Sequence, residues 1–215
     1  MTGKVRTVDG RVAGRRGQAT RQKLLDCLAE MLGSSPYRDV KVIDVARRAG
    51  TSPATFYQYF PDVEGAVLEL ADTLAKQGPG LEELSEQRNW VGKAGWQSAQ
   101  DFVDAFLSFW RKHDAILRVV DLGAAEGDKR FYRIRMRIMT TITHALRDSI
   151  TDLQERGKVD QTVNPTAVAG SLATMLAAVA SHQKGFQTWG VKQAELRPQL
   201  ALLVHLGVTG KKPTR

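Results

Sequence analysis

The sequence predicts an all-α protein of about nine helices, with a small N-terminal helix-turn-helix domain and a larger helical domain after it. Three observations carry that prediction. Apolar residues recur at three- and four-residue spacing along most of the chain, the β-branched residues fall inside those same patterns so that no strand candidate survives, and the stretch Lys41–Phe60, KVIDVARRAGTSPATFYQYF, has the spacing of two short helices joined by a tight turn.

The elements follow in order. Residues 1–19, MTGKVRTVDGRVAGRRGQA, are rich in glycine and arginine and hold no apolar run, so they predict a disordered basic arm whose Arg11, Arg15 and Arg16 are placed to follow a DNA backbone or enter a minor groove. A first helix is expected from a Thr20 cap to Gly33, with Leu24, Leu25, Leu28 and Met31 or Leu32 as its buried stripe. In the next helix Val42, Val45, Ala46 and Ala49 form the apolar stripe, and Gly50 ends it. Thr51 or Ser52, followed by Pro53, restarts a helix with an oxygen cap and a preset φ. Steps of 100° then place Phe56, Tyr59 and Phe60 on the packing side of that second helix, Ala54 and Gln58 opposite, and Thr55 and Tyr57 on the flanks. Small groups allow close approach to base edges, an amide can pair with them, and hydroxyls reach phosphates.

Residues 20–72 resemble the N-terminal domain of the TetR family of transcriptional regulators. The likeness rests on the preceding amphipathic helix, the helix-turn-helix, the aromatic TFYQYFP segment and the start of a fourth helix. It implies DNA contacts at Lys41, Thr51, Ser52, Ala54, Thr55, Tyr57, Gln58 and Tyr59. Two positions depart from the family pattern: Ile43 stands where an arginine is common and Val63 where a phosphate-binding lysine is usual, so neither contact carries over. The domains expected are the arm over 1–19, the helix-turn-helix domain over 20–61 and a regulatory and dimerisation domain over 62–210.

Pro61 and Asp62 end the third helix and cap a fourth, which continues through Val67, Leu68 and Ala71 to about Lys76. By the resemblance this helix joins reader to sensor. Residues 77–97 hold four glycines and a proline and read as a connection, in which Trp90 and Trp96 should fold back over apolar surface. Ser98 with Asp101 resembles a capping box that opens a helix carrying Phe102, Phe106, Phe109 and Trp110, and a shorter apolar segment, Ala115–Ala124, follows. Asp128 caps a long helix to Arg156. Asn164 and Pro165 start the next, which should run to Gly190, and a last helix covers about Gln193 to Leu206.

For the larger domain, Phe102, Phe106, Trp110, Met136, Met139 and Met175 offer large, adaptable apolar surfaces, and Thr140, Thr141 and Thr143 add hydroxyls. Taken alone such stripes mostly fill cores. The resemblance implies instead a pocket for a small apolar ligand, and it implies a homodimer through the last two helices, about 165–206, where Ala169, Gly170, Ala173, Ala177 and Ala180 permit close approach and Leu196, Leu200, Leu203 and Leu206 form a stripe. A constitutive DNA-binding dimer with no ligand is the other reading.

Charge agrees with a DNA partner. The first 60 residues carry a balance of +6, against +2 for the remaining 155, and that concentration supplies attraction to phosphate. The single cysteine, Cys27, excludes an intrachain disulfide and fits the cytoplasm. No apolar run matches a signal peptide or a membrane span. His113, His144, His182 and His205 are isolated, and no nucleophile elbow, metal-binding pattern or phosphate loop is present. Neither catalysis nor a cofactor is expected, and the predicted partner is double-stranded operator DNA.

Overall fold

The structure, a computed structural model, describes residue 8 and residues 14–77 and 89–214. Among these residues the chain is all-α, with nine α-helices and no strand. The expected arm residue Arg11 lies outside the described residues, as does 78–88 of the expected connection.

Contacts divide the chain into two units. The first comprises Met1–Lys76 and Asp114–Ile134. Helix α1 (Arg15–Ser34) starts five residues before the expected Thr20 cap, because Thr20 Oγ1 donates to the Arg16 carbonyl inside the helix and Gly14 stands at its head. Arg15 and Arg16, expected in the arm, therefore belong to this helix. Leu24, Leu25, Leu28 and Leu32 are buried along it, together with Cys27. A 3₁₀ turn (Tyr37–Asp39) leads into α2 (Val42–Arg48), α3 (Pro53–Tyr59) and α4 (Val63–Gln77). Asp62 Oδ1 accepts the Gly65 amide at 2.6 Å, which is the expected cap of α4.

Residues 114–134 also belong to this unit, and two ion pairs join them to its other part, through Glu126 and Arg130. Arg38 pairs with Glu126 at 3.0 Å, and Arg130 pairs with both Glu64 and Asp128. Asp128 caps the following helix by accepting the Arg130 amide at 2.7 Å. The Arg130 guanidinium hydrogen-bonded to it, followed by that amide, holds the Asp128 carboxyl down at about 2.

The second unit comprises Gln77–His113 and Arg135–Arg215. Helix α5 (Gly92–Ala125) and helix α6 (Lys129–Glu155) each run from one unit into the other without interruption. The sequence expectation of two segments, one opened by a Ser98 box and one over Ala115–Ala124, is corrected here. Ser98 Oγ donates to the Asn89 carbonyl at 3.1 Å instead of capping, Gly92 starts the helix at a φ of 62°, and nothing between 98 and 124 breaks the helical pattern. Trp90 does fold back, at 5% exposure.

Helix α7 (Pro165–Ser181) begins as expected, with Asn164 Oδ1 accepting the Ala167 amide at 3.0 Å. It stops short of Gly190, because His182, at φ −110° and ψ 25°, leaves the helical region and a short α8 (Gln183–Thr188) takes over. Helix α9 (Gln193–Thr209) packs on α7 so closely that a Cβ added at Gly207 would meet Leu172 Cδ1 at 2.8 Å. Of the small residues expected to meet a second subunit, Ala169, Ala173, Ala177 and Ala180 are buried within this unit and serve its own core, while Gly170 is half-buried with open space where a Cβ would stand. Ser171, Thr174 and Ala178 face outward instead.

Candidate nucleic-acid interface

The geometry of the helix-turn-helix is set by local chemistry. Gly50, at a φ of 67°, closes α2: its amide donates to the Arg47 carbonyl at 3.0 Å, and the Thr51 amide donates back to the Ala46 carbonyl at 2.9 Å. Only glycine adopts that left-handed backbone cheaply. Ser52 is the residue that caps α3, its Oγ accepting the Thr55 amide at 3.2 Å and lying 3.1 Å from the Thr55 hydroxyl. Pro53 occupies the first helical position, where a missing N–H costs nothing.

Two rings hold α3 in place. Phe56 is 0% and Phe60 2% exposed, with centroids 5.4 Å apart. The Arg21 guanidinium of α1 lies over the Phe60 ring at 5.0 Å and pairs with Glu69 of α4. Burial lowers the pKa of that guanidinium. With this side anchored, Ala54, Tyr57 and Gln58 are exposed, Tyr57 by 52%, while Thr51, Thr55 and Tyr59 are half-buried. Lys41, at the N-cap of α2, and Ser52 are also exposed. The eight candidate residues therefore fall on α3 and its Ser52 cap, on the turn before it at Thr51, and at the N-cap of α2. Tyr59 emerges only in part, as its place on the packing side implies.

Three further features of this surface lie outside the contacts that the sequence implies. Ile43 projects from α2 at 51% exposure, an apolar group of the kind that meets thymine methyls. Arg47 is largely exposed and held by Asp44 at 3.4 Å. The Val8 amide donates to the Gln58 carbonyl at 2.8 Å, which brings one residue of the N-terminal stretch to the end of α3. Exposure of Ile43 is legible from its place opposite the Val45 stripe, whereas the Val8 contact has no signal in the sequence.

The residues named for a ligand all belong to the second unit. Phe102, Phe106, Trp110 and Met139 are buried, Phe106 and Trp110 stack at 5.4 Å, and Thr140, Thr143 and Met175 are half-buried. Met136 stands apart at 39% exposure. A cleft of about 430 Å³ lies elsewhere, in the first unit, between the α1 end with its following turn (Leu32 to Tyr37) and the Ala115, Arg118, Val119 and Leu122 face of α5. Among the described residues no group of histidines, cysteines and carboxylates is placed to hold a metal, and no helix is long and apolar enough to cross a membrane.

Comparison with known proteins agrees with this arrangement over both units. A family model described as bacterial regulatory proteins, tetR family, matches residues 24–70, and one described as tetracyclin repressor-like, C-terminal domain, matches residues 81–215. The HTH-type transcriptional regulator EthR of Mycolicibacterium smegmatis is 29% identical over 189 residues, covering 84% of this chain and 84% of that protein. A structure described as a TetR-family transcriptional regulator from Rhodococcus sp. shares the fold at a TM-score of 0.67 and 14% identity, over 88% of this chain and 99% of its own. FadR from Bacillus subtilis, solved in complex with stearoyl-CoA, does so at a TM-score of 0.62 and 15% identity, over 88% of this chain and 98% of its own. With α3 braced by Phe56 and Phe60 in a helix-turn-helix and with family models covering both parts of the sequence, the chain belongs to the TetR family of DNA-binding transcriptional regulators.

Proposed function

We propose that this regulator is a cytoplasmic homodimeric repressor released from its operator by an apolar small molecule. The observation that carries the DNA half is the division of α3 into a buried aromatic side and an exposed side of Ala54, Tyr57 and Gln58. In this reading Gln58, Ala54 and Thr55 meet base edges in the major groove, and Lys41, Ser52, Thr55, Tyr57 and Tyr59 hold phosphates. Ile43 adds an apolar contact next to them.

Dimerisation through α7 and α9 is supported by what those helices leave uncovered. Ser171, Thr174 and Ala178 make a stripe of small outward residues on α7, and Leu203 of α9 is 47% exposed. Two such copies related by a two-fold axis place two reading helices on half-sites about one DNA turn, roughly 34 Å, apart or somewhat more.

The ligand half rests on Phe102, Phe106, Trp110, Met136, Met139, Thr140, Thr143 and Met175, of which Phe106 and Trp110 stack and Met136 is the exposed one. The FadR relative bound to an acyl thioester supports an apolar ligand of that kind. Because Phe102 and Phe106 are almost fully buried, ligand entry has to displace them, and α5 and α6 run uninterrupted from this unit into the one that holds the reading helix. A coupling of about 1–3 kcal/mol, roughly 5–150-fold in operator affinity, suffices for a switch. The test is titration of a long-chain acyl thioester, and separately of its free acid, into the pre-formed operator complex. Release at saturating ligand supports the reading. Unchanged operator affinity across apolar ligands that demonstrably bind favours the constitutive dimer.

A further inference from the structure

Among the described residues, Trp90 Nε1 and His205 Nδ1 are buried side-chain nitrogens with no hydrogen-bond partner. Their residues, 5% and 3% exposed, line the same cavity of about 90 Å³ in the second unit. A buried nitrogen left without a partner is costly; the Trp90 indole N–H calls for an acceptor, and the His205 ring nitrogen donates to the same acceptor in its Nδ1–H tautomer. The charge around them has one sign. Lys158, Lys211 and Lys212 line the same cavity, and no ion pair with a carboxylate is formed by any of the three among the described residues. The lysines of the C-terminal segment are held there by the chain itself: the Lys211 amide donates to Thr209 Oγ1 at 3.1 Å, and that hydroxyl donates to the His205 carbonyl at 2.7 Å. Gly92, the first residue of the 34-residue α5, also lines the cavity, which puts the positive end of that helix beside it.

We propose that this cavity is a binding site for a small anionic group, a carboxylate or a phosphate. The Trp90 indole N–H and the His205 Nδ1–H tautomer donate to it, and the three lysines balance its charge. A free phosphate ion and the head of an apolar acid share this chemistry.

The test uses the full chain without DNA, so failure here leaves the operator reading untouched. Inorganic phosphate and octanoate are titrated separately by calorimetry at low salt into the wild type, Trp90→Phe and the double variant Lys211→Ala/Lys212→Ala. Binding of at least one probe, weakened about tenfold or more in both variants, is the expected result, given the strength of hydrogen bonds to charged groups. Phosphate alone would identify a phosphate site, octanoate alone the head of an apolar acid, and both a site for bare anionic charge. The double variant alters exposed residues outside any helix, so it keeps the test valid if Trp90→Phe folds poorly. No heat from either probe at millimolar concentration, as for a cavity that holds only water, overturns the proposal. So does equal affinity in the wild type and the double variant.

Discussion

Truncating Phe56 to alanine tests whether the reading helix stands on its aromatic side. The ring is 0% exposed and contacts the rings of Phe60 at 5.4 Å and Tyr57 at 6.0 Å, measured between centroids. A buried phenylalanine removes roughly 150–250 Å² from water, and at about 25 cal/mol per Å² that amounts to about 4–6 kcal/mol. Alanine keeps part of that area and is a better helix former by less than about 1 kcal/mol. The net loss expected is about 3–5 kcal/mol, the usual span for such truncations. Against a total of about 5–15 kcal/mol for a domain, that leaves the helix-turn-helix marginal. Urea unfolding followed by circular dichroism measures the loss, and Phe56→Leu, which keeps most of the volume, should lose far less. Operator affinity should fall in step with the unfolded fraction and recover on cooling toward the stability maximum. A loss below about 1 kcal/mol would mean that α3 is held by something other than this ring.

Other outcomes follow from the same geometry. Gly123→Ala would set a Cβ within 2.7 Å of Phe131 Cγ, a rigid and buried ring, and overpacking of about 1–3 kcal/mol should outweigh the gain in helix propensity, lowering the melting temperature. Asp128 has a folded pKa of about 2, below that of an unfolded carboxyl, so its contribution is complete above about pH 4 and is lost as pH falls toward 2. Asp128→Asn should therefore cost stability at neutral pH and flatten the acid limb of the unfolding profile between those values. Leu203→Glu places a charge on the outward face of α9 and should convert a dimer to monomers by light scattering; a wild type that is already monomeric would contradict the proposed assembly.

What could be read from the sequence was what nearest neighbours determine. Gly50, Ser52 and Pro53 dictate the turn through their own backbone preferences, and Phe56 and Phe60 define the packed side of α3 by spacing alone. The same holds for the Asn164 and Asp128 caps. Helix joins were harder. Ser98 and Asp101 have the spacing of a cap, yet the Asn89 carbonyl takes the Ser98 hydroxyl, a choice made by tertiary folding. On α7 small residues occur on every side, so hydrophobic period could not tell the buried Ala169, Ala173 and Ala177 from the outward Ser171, Thr174 and Ala178. The cavity of Trp90, Lys158 and His205 joins residues far apart in the chain, and no local pattern announces it.

The central claim is that the exposed side of α3 reads base sequence. It is tested most directly by comparing wild type and Gln58→Ala at one fixed salt concentration, on an operator duplex selected from genomic fragments and on a random duplex. The variant should lose about 1–3 kcal/mol on the operator, the worth of a good amide-to-base contact, while its binding to random DNA stays unchanged. Equal losses on both duplexes, or none on either, would contradict it.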